Sequence, residues 1–254
     1  LKEKINLILD LKKNKLEIDT LEREITLLHA KAVNYIIKKY EIEKSKINLI
    51  GFHGHTILHK FKEKKTKQIG DGNLLSQLTK LNVINNFRQN DINNGGQGAP
   101  LVPIFHKLLK EKLKLKTPIL FVNIGGISNL TYIGKDQEVI SLDTGPGNFL
   151  IDKILQLKSK NKIEFDKDGK IAFSGNIDKN ILDSYLCDPF YDSLPPKSLD
   201  VNDFSLSPLR SLSLEDSVAT LSELTSLTIV NALNFFKIKP NEIILCGGGR
   251  KNKY

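Results

Sequence analysis

Residues 117–149 read TPILFVNIGGISNLTYIGKDQEVISLDTGPGNF, and this stretch decides the fold. Three short runs rich in apolar and β-branched residues, at 119–123, 130–133 and 139–142, are separated by a glycine turn and a polar turn. That is the pattern of successive β-strands. A helical pattern follows from about Phe149. Strands joined by tight turns and then a helix predict a mixed α/β sheet rather than a purely parallel one.

The rest of the chain supplies further helices and short strands around this sheet. An apolar stripe with helical spacing predicts that 1–45 is mainly helix, and its members are Leu21, Ile25, Leu28, Ala32, Val33 and Ile36. Other patterns predict strands at 47–50, 83–86 and 242–245, helices at 73–80, 105–115 and 214–236, and loops at 68–72, 91–103 and much of 159–210. Ser213 is the predicted N-cap of the long helix. Thr117-Pro118 marks the predicted domain boundary, which gives domains 1–116 and 117–254.

Composition excludes several classes of protein. The chain has 254 residues, of which 26% are charged and 40% apolar, as in ordinary globular proteins. It contains no run of about 18 uncharged apolar residues, so a membrane-spanning helix is not expected. Two cysteines are too few for a disulfide framework or a Cys-rich zinc site. No secretory leader is recognised. The sequence contains no methionine and stops soon after Gly249, so we expect a fragment of a longer protein.

The net charge of +9 raises the question of nucleic-acid binding. Residues 1–70 hold 16 Lys and Arg against 9 Asp and Glu, and the remainder of the chain is nearly neutral. These basic residues lie mostly on the polar faces of predicted helices, without interleaved aromatic residues to stack on bases. We therefore expect no nucleic-acid partner.

Three glycine-rich turns follow predicted strands, at 123–129, 143–148 and 246–249. Glycine lets backbone N–H groups approach an anion closely, and a helix that starts after such a turn favours phosphate. One turn of this kind is usually structural, whereas three in one half of the chain favour a nucleotide site. None of them matches the dinucleotide-binding or P-loop pattern.

Two polar segments lie outside these turns. Residues 86–103 read NFRQNDINNGGQGAPLVP, where Asp91 in an irregular loop is either a turn residue or a general base. Arg88 could pair with a ligand carboxylate or with a neighbouring acid. Residues 51–56 read GFHGHT, and His53 and His55 lack a matching third metal ligand. A polar substrate-lining role or a local structural role remains open for them, and no metal site is predicted.

Taken together, these strings resemble the anhydro-N-acetylmuramic acid kinase family, in the same order along essentially the whole chain. The matching segments are 51–56, 68–70, 88–103, 123–130, 143–148, 165–169, 194–198, 219–225 and 246–249. The run GGQGAPLVP at 95–103 is highly specific to that family. The resemblance implies an α/β, actin-like sugar-kinase fold of two domains with ribonuclease-H-like cores and ATP in the interdomain cleft.

The resemblance also implies a reaction. Enzymes of this family use ATP, Mg²⁺ and water to open 1,6-anhydro-N-acetylmuramic acid and phosphorylate O6, giving N-acetylmuramate 6-phosphate for peptidoglycan recycling in the bacterial cytoplasm. It implies Asp91 as the catalytic base that activates water, and a homodimer as the assembly. The implied sugar-binding residues are His53, Arg88, Gln97 and Gly98. The implied ATP-binding residues are Asn123, Gly125, Gly126, Asp143, Gly145, Gly147, Asn148, Gly247, Gly248 and Gly249.

The sequence departs from the family pattern at a few places. The family's N-terminal phosphate loop and C-terminal segment have no counterpart here. Other differences are His55, Asn86, Val218 and the residues after Ser198, where a Thr-Gly-Arg-Glu run is usual. Two alternatives stay open: a non-catalytic protein that keeps the fold and binds sugar or nucleotide, and an actin-like sugar kinase with another acceptor.

Overall fold

The computed structural model describes residues 15–60, 63–199 and 203–254. The chain divides into two compact units, Leu1–Leu101 and Val102–Tyr254. The sequence placed the domain boundary at Thr117-Pro118 instead. Helix Pro103–Lys112 accounts for the difference, because its His106 is buried and bonded to Thr131 in the sheet of the second unit.

The described part of the first unit combines three helices with two small pairs of strands. Its elements are α1 (Lys15–Lys39), β1 (Ile50–Gly51), β2 (His55–Lys60), β3 (Lys65–Ile69), α2 (Gly72–Thr79), β4 (Val83–Ile84) and α3 (Phe87–Asn93). Strand β1 is parallel to β4, and β2 is antiparallel to β3. The predicted short helix at 73–80 is confirmed as α2, whose N-cap Asp71 accepts from Leu74 N–H.

Helix α1 buries a narrower face than its apolar stripe predicted. Leu21 and Ile25 are buried against Ile69 of β3, and Ala30 packs with Phe52 and Leu75. The helix is confirmed over Lys15–Lys39, but three residues of the stripe are exposed: Leu28 at 45%, Ile36 at 47%, and Ala32. In the described part of the unit, two separate small hydrophobic clusters pack against this 25-residue helix, and they do not form one continuous layer along it. Residues 1–14 of the predicted helix lie outside the described residues.

The strand predictions of the first unit were only partly correct. The predicted strand at 47–50 is wrong except for Ile50, because residues 47–49, which follow a 3-10 turn at Lys44–Lys46, have no regular structure. The hairpin of β2 and β3 was missed, and its Ile69 lies in a segment predicted to be a turn. Strand β3 has the burial pattern of a half-exposed strand, but lysines occupy its outward positions, and they masked the alternation.

The second unit is built on a four-stranded sheet. Its elements are α4 (Pro103–Lys112), β5 (Ile119–Ile124), β6 (Ile127–Ile133), β7 (Val139–Pro146), α5 (Asn148–Lys158), α6 (Lys179–Leu186), α7 (Leu214–Ala232) and β8 (Glu242–Cys246). The strand order is β7-β6-β5-β8. Strands β5, β6 and β7 are antiparallel neighbours, and β8 is parallel to β5. The mixed sheet is therefore confirmed.

Helices cover both faces of this sheet because its central strands are apolar on both sides. One face packs Leu120, Val122 and Leu142 against the end of α7 and Phe236. The other face packs Ile119, Phe121 and Ile133 against Leu109 of α4. Helix α7 begins where the sequence predicted, with Ser213 Oγ accepting from Asp216 N–H, and a 3-10 turn replaces its last predicted residues.

Candidate functional site

The three glycine-rich turns of the second unit meet at one end of the sheet, where β5, β7 and β8 terminate. Strands β5, β7 and β8 all run in the same direction, because β6 is antiparallel to both β5 and β7 and β8 is parallel to β5. Their carboxyl ends therefore lie together. Asn123, near the end of β5, is opposite Cys246 on one side and Asn129 on the other. Residues spread over 123–249 are thus brought to one place.

Direct hydrogen bonds join the first two turns. The Asn148 N–H donates to the Gly125 carbonyl at 2.8 Å, and the Gly147 N–H donates to the Gly126 carbonyl at 2.9 Å. The Phe149 N–H also donates to Gly126, at 3.1 Å. These are the amides of the N-cap residue and of the first two residues of α5, so an anion at this turn would have to be bound by donors other than these three.

The third turn packs closely on the first. Gly247 has a φ of +79°, and a Cβ at this position would lie 2.5 Å from the Ile124 carbonyl oxygen and 2.7 Å from Asn123 Oδ1. The Asn148 side chain donates to the same Ile124 carbonyl at 3.2 Å. A Cβ on Gly248, by contrast, would lie no nearer than 3.8 Å to Asn148 Nδ2. Glycine is therefore needed at Gly247 for packing, whereas Gly248 has room for a Cβ at ordinary contact distance.

Helix α7 packs against the second turn. Thr225 Oγ1 donates to the Pro146 carbonyl at 2.9 Å, and a Cβ on Gly145 would lie 2.7 Å from Thr228 Oγ1. Sequence reasoning assigned no role to these threonines. Their spacing of three residues within a helix that also buries Leu221 and Leu224 was the available signal.

Asp143 lies on β7 just before the second turn. Its Oδ2 accepts a hydrogen bond from the Leu199 N–H at 2.9 Å, and its own N–H donates to the Lys197 carbonyl at 2.9 Å. Burial raises the pKa of Asp143 to about 6, although the Leu199 bond acts in the opposite direction. A carboxyl group whose pKa is raised by burial is typical of functional sites.

The first unit brings Arg88, Asp91 and Gly98 together. Asp91 was predicted in an irregular loop, and that is wrong, because it lies near the end of α3. The loop begins after it, and Asp91 Oδ2 accepts from the Gly98 N–H at 2.7 Å. Arg88 Nη1 donates to the Gly98 carbonyl at 2.8 Å, and burial lowers the pKa of Arg88. A Cβ on Gly96 would collide with the Asp91 carboxylate, so glycine keeps space beside it.

His53 follows β1 at the edge where α3 also begins. Strands β1 and β4 are parallel, and the Phe52 N–H donates to the Ile84 carbonyl at 2.8 Å, so the segments after both strands are neighbours. His53 is exposed, and Gln97 is half-buried next to Gly98. Partial burial lowers the pKa of His55, and the charge of His53 lowers it further.

Comparison with known proteins identifies relatives of this chain. A family model described as anhydro-N-acetylmuramic acid kinase matches residues 1–254. A protein of that name from Pelagibacter ubique is 44% identical over 260 residues, which cover 99% of this chain and 68% of the relative. The chain belongs to the anhydro-N-acetylmuramic acid kinase family. The family predicted from the sequence motifs is confirmed.

Two further members of the anhydro-N-acetylmuramic acid kinase family match most of this chain but a smaller share of their own length. The protein of that name from Zymomonas mobilis is 42% identical over 232 residues, and the one from Brucella canis is 42% identical over 234 residues. Each match covers 91% of this chain and 62% of the relative. The chain thus spans about two thirds of the length of these kinases.

Residues 15–60, 63–199 and 203–254 contain no group of three His, Cys, Asp or Glu side chains that could hold a metal ion. In those ranges, no helix is long and apolar enough to cross a membrane.

Proposed function

We propose that this chain carries the substrate and nucleotide sites of an ATP-dependent kinase that hydrolytically opens 1,6-anhydro-N-acetylmuramic acid and phosphorylates O6 to give N-acetylmuramate 6-phosphate. The chain belongs to a family of kinases, and such enzymes take ATP as a substrate. The convergence of three glycine turns at the end of β5, β7 and β8 is the observation that carries the nucleotide part. Backbone turns of this type suit the phosphates of a nucleotide.

The finer fold class belongs to the same proposal. We assign the second unit to a ribonuclease-H-like core of the actin-like sugar kinases. Its support is the strand order, in which three consecutive antiparallel strands are followed by a fourth that pairs in parallel with the first. The first unit would hold the sugar through His53, Arg88, Gln97 and Gly98, with Asp91 as the base.

The geometry around Asp91 suits general base catalysis. One carboxylate oxygen, Oδ2, is fixed by the Gly98 N–H, which orients the group and leaves lone pairs of Oδ1 for a water molecule. Arg88 uses one of the five N–H donors of a guanidinium on the Gly98 carbonyl, so further donors can bind a carboxylate such as that of a muramic acid. A water oriented by Asp91 would attack the anomeric carbon, while O6 would attack the γ-phosphate.

The nucleotide turns would supply position and charge stabilisation rather than bond chemistry, as phosphoryl transfer requires. We propose that the first two turns face the phosphates and that Gly247, Gly248 and Gly249 lie near the adenosine. Mg²⁺ typically binds through one or two carboxylates and the substrate's own phosphates. The described residues do not form a protein cage for it, so we propose that it arrives with ATP.

The setting of the reaction is proposed on the same grounds. The substrate named by the family comes from cell-wall peptidoglycan, and recovering it would consume ATP, so we propose the cytoplasm as the location of the enzyme. We also propose a homodimer, to be checked by light scattering. Small molecules are then the partners of the catalytic site, without a role for nucleic acid.

The test is a direct assay on the product of the whole reading frame that encodes this chain. Incubation with ATP, Mg²⁺ and 1,6-anhydro-N-acetylmuramic acid should give N-acetylmuramate 6-phosphate by mass spectrometry. Asp91→Asn should reduce turnover by at least about a thousandfold, within the range expected of a general base, while ATP affinity stays the same. Asp136→Asn, at an exposed position of the β6–β7 turn, is the matched control and should keep full activity.

Two outcomes would contradict this proposal. Full turnover by Asp91→Asn would remove the base from its assigned position. ATP binding without product from the anhydro sugar would favour a non-catalytic binding protein, or a kinase with another acceptor if a panel of amino sugars gave a phosphorylated product.

A further inference from the structure

Lys197 is a buried lysine that the proposed reaction leaves without a role. Its side chain is only 8% exposed. Its ammonium donates to the Phe190 carbonyl at 2.9 Å and to the Tyr191 carbonyl at 3.0 Å. It also lies 4.4 Å from the ring centroid of Phe190 and 4.6 Å from that of Phe235. The ammonium is thus held by carbonyl oxygens and aromatic faces.

Such a position is demanding for a charged group. Removing an ammonium from water is unfavourable unless polar partners replace the water. Burial accordingly lowers the pKa of Lys197, while the carboxylate of Asp192 raises it. Carbonyl and ring contacts compensate for the lost water, and they require a long side chain with several donors. The contacts fix the segment 190–197 against the 3-10 turn Leu233–Phe235 that follows α7.

The main chain of the same segment holds Asp143. The Lys197 carbonyl accepts from the Asp143 N–H, and two residues later the Leu199 N–H donates to Asp143 Oδ2. Strand β7 is at the edge of the sheet, so this segment supplies the hydrogen bonds that a further strand would otherwise make there. The Lys197 side chain is therefore the anchor of the piece of backbone that orients Asp143.

We propose that Lys197 is a positioning residue for Asp143: by anchoring the segment 190–199, it keeps the Leu199 N–H on the carboxylate that precedes the glycine turn. Asp192 from the same segment is the charged group that acts on Lys197, the Tyr191 phenol beside this segment interacts with Asp188 and Tyr185, and β6 presents the neutral Asn129 opposite Asp143. The meaning of this role for catalysis rests on the proposed kinase function, but the arrangement itself does not.

The test compares three variants of the full-length protein. Lys197→Met keeps the length of the side chain and removes the charge and donors, and Lys197→Arg keeps a cation. Lys158→Met is the matched control, because Lys158 also donates to two carbonyls, those of Leu209 and Leu212, but has no bond to the segment that holds Asp143. Hydrogen exchange of the Leu199 amide and the titration of Asp143, followed by carboxyl carbon NMR without nucleotide, are the two readouts.

The expected result is specific to Lys197→Met. Its Leu199 amide should exchange at least about tenfold faster, and the midpoint of Asp143 should rise by about one pH unit, as expected when a charged acceptor loses a hydrogen bond. Lys197→Arg and Lys158→Met should keep the wild-type midpoint. In nucleotide binding, the acidic limb of the pH profile should move by the same amount.

An unchanged midpoint in Lys197→Met, or an equal shift in Lys158→Met, would overturn the positioning role. If Lys197→Met does not fold, Lys197→Gln, which keeps two N–H donors without the charge, is judged by the same two readouts. Because the titration needs no nucleotide, failure of the wild-type protein to bind ATP would count against the proposed function and not against this inference.

Discussion

Gly247 offers a sharp test of how the third turn packs on the sheet. At its φ of +79°, an alanine would occupy a left-handed conformation, which costs about 1–2 kcal/mol for an L-residue. Its Cβ would also lie 2.5 Å from the Ile124 carbonyl oxygen, and forcing an overlap of this kind costs about 1–3 kcal/mol. We expect Gly247→Ala to lower the free energy of unfolding of the second unit by about 3 kcal/mol.

The neighbouring Gly248 is the matched control. Its φ of −69° and ψ of −37° are helical, and the nearest atom to an added Cβ would be 3.8 Å away. Gly248→Ala should therefore be neutral or stabilise the protein by about 0.5 kcal/mol. Its methyl group would point into the proposed nucleotide site, so ATP affinity should fall without any loss of stability.

Urea unfolding, followed by circular dichroism, separates these outcomes. With an m value of about 2 kcal/mol/M, Gly247→Ala should lower the unfolding midpoint by about 1.5 M, and Gly248→Ala should leave it unchanged or raise it by at most about 0.25 M. Equal midpoints for wild type and Gly247→Ala would refute the close approach of the third turn to β5. Unchanged ATP affinity in Gly248→Ala would argue against nucleotide at this turn.

Two further predictions concern buried titratable groups. Because the folded pKa of Asp143 is about 6 against an ordinary value of 3.8, stability should fall as pH rises from about 4 to 6. Asp143→Asn should then stabilise the protein at pH 7 by at most about 3 kcal/mol and have no such effect at pH 4. It should also weaken ATP binding. Equal unfolding midpoints for wild type and variant at pH 7 would contradict this prediction. His106 stacks on Phe121 with ring centroids 4.4 Å apart and contacts Thr131 Oγ1 at 2.9 Å, and burial lowers its pKa from 6.5. The unfolded chain therefore takes up the proton first, so stability should decline as pH falls below about 6.5, and His106→Gln should reduce that slope in urea titrations at pH 5 to 7.

Local sequence signals were sufficient where one segment carries its own pattern. The strands of 117–149 are apolar enough to be buried on both faces, and their turns are short, so neither their pairing nor the helix after them needed information from elsewhere. The start of helix α7 is likewise predicted by the N-cap Ser213 and the acidic residues Glu215 and Asp216 of its first turn. The weaker signals of the first unit failed, because the lysine-rich hairpin and the α1 stripe depend on which neighbours cover them.

The sequence by itself determined the family, the mixed sheet and the glycine turns, because these are written in contiguous runs of residues. Only the tertiary structure decided which of those residues meet. Asn123 and Gly247 are far apart in the chain, and they are neighbours because β8 pairs in parallel with β5. The raised pKa of Asp143 and the anchoring by Lys197 depend on burial and on a segment more than fifty residues away. Such effects arise from desolvation and long-range hydrogen bonds, which no local pattern of residues encodes.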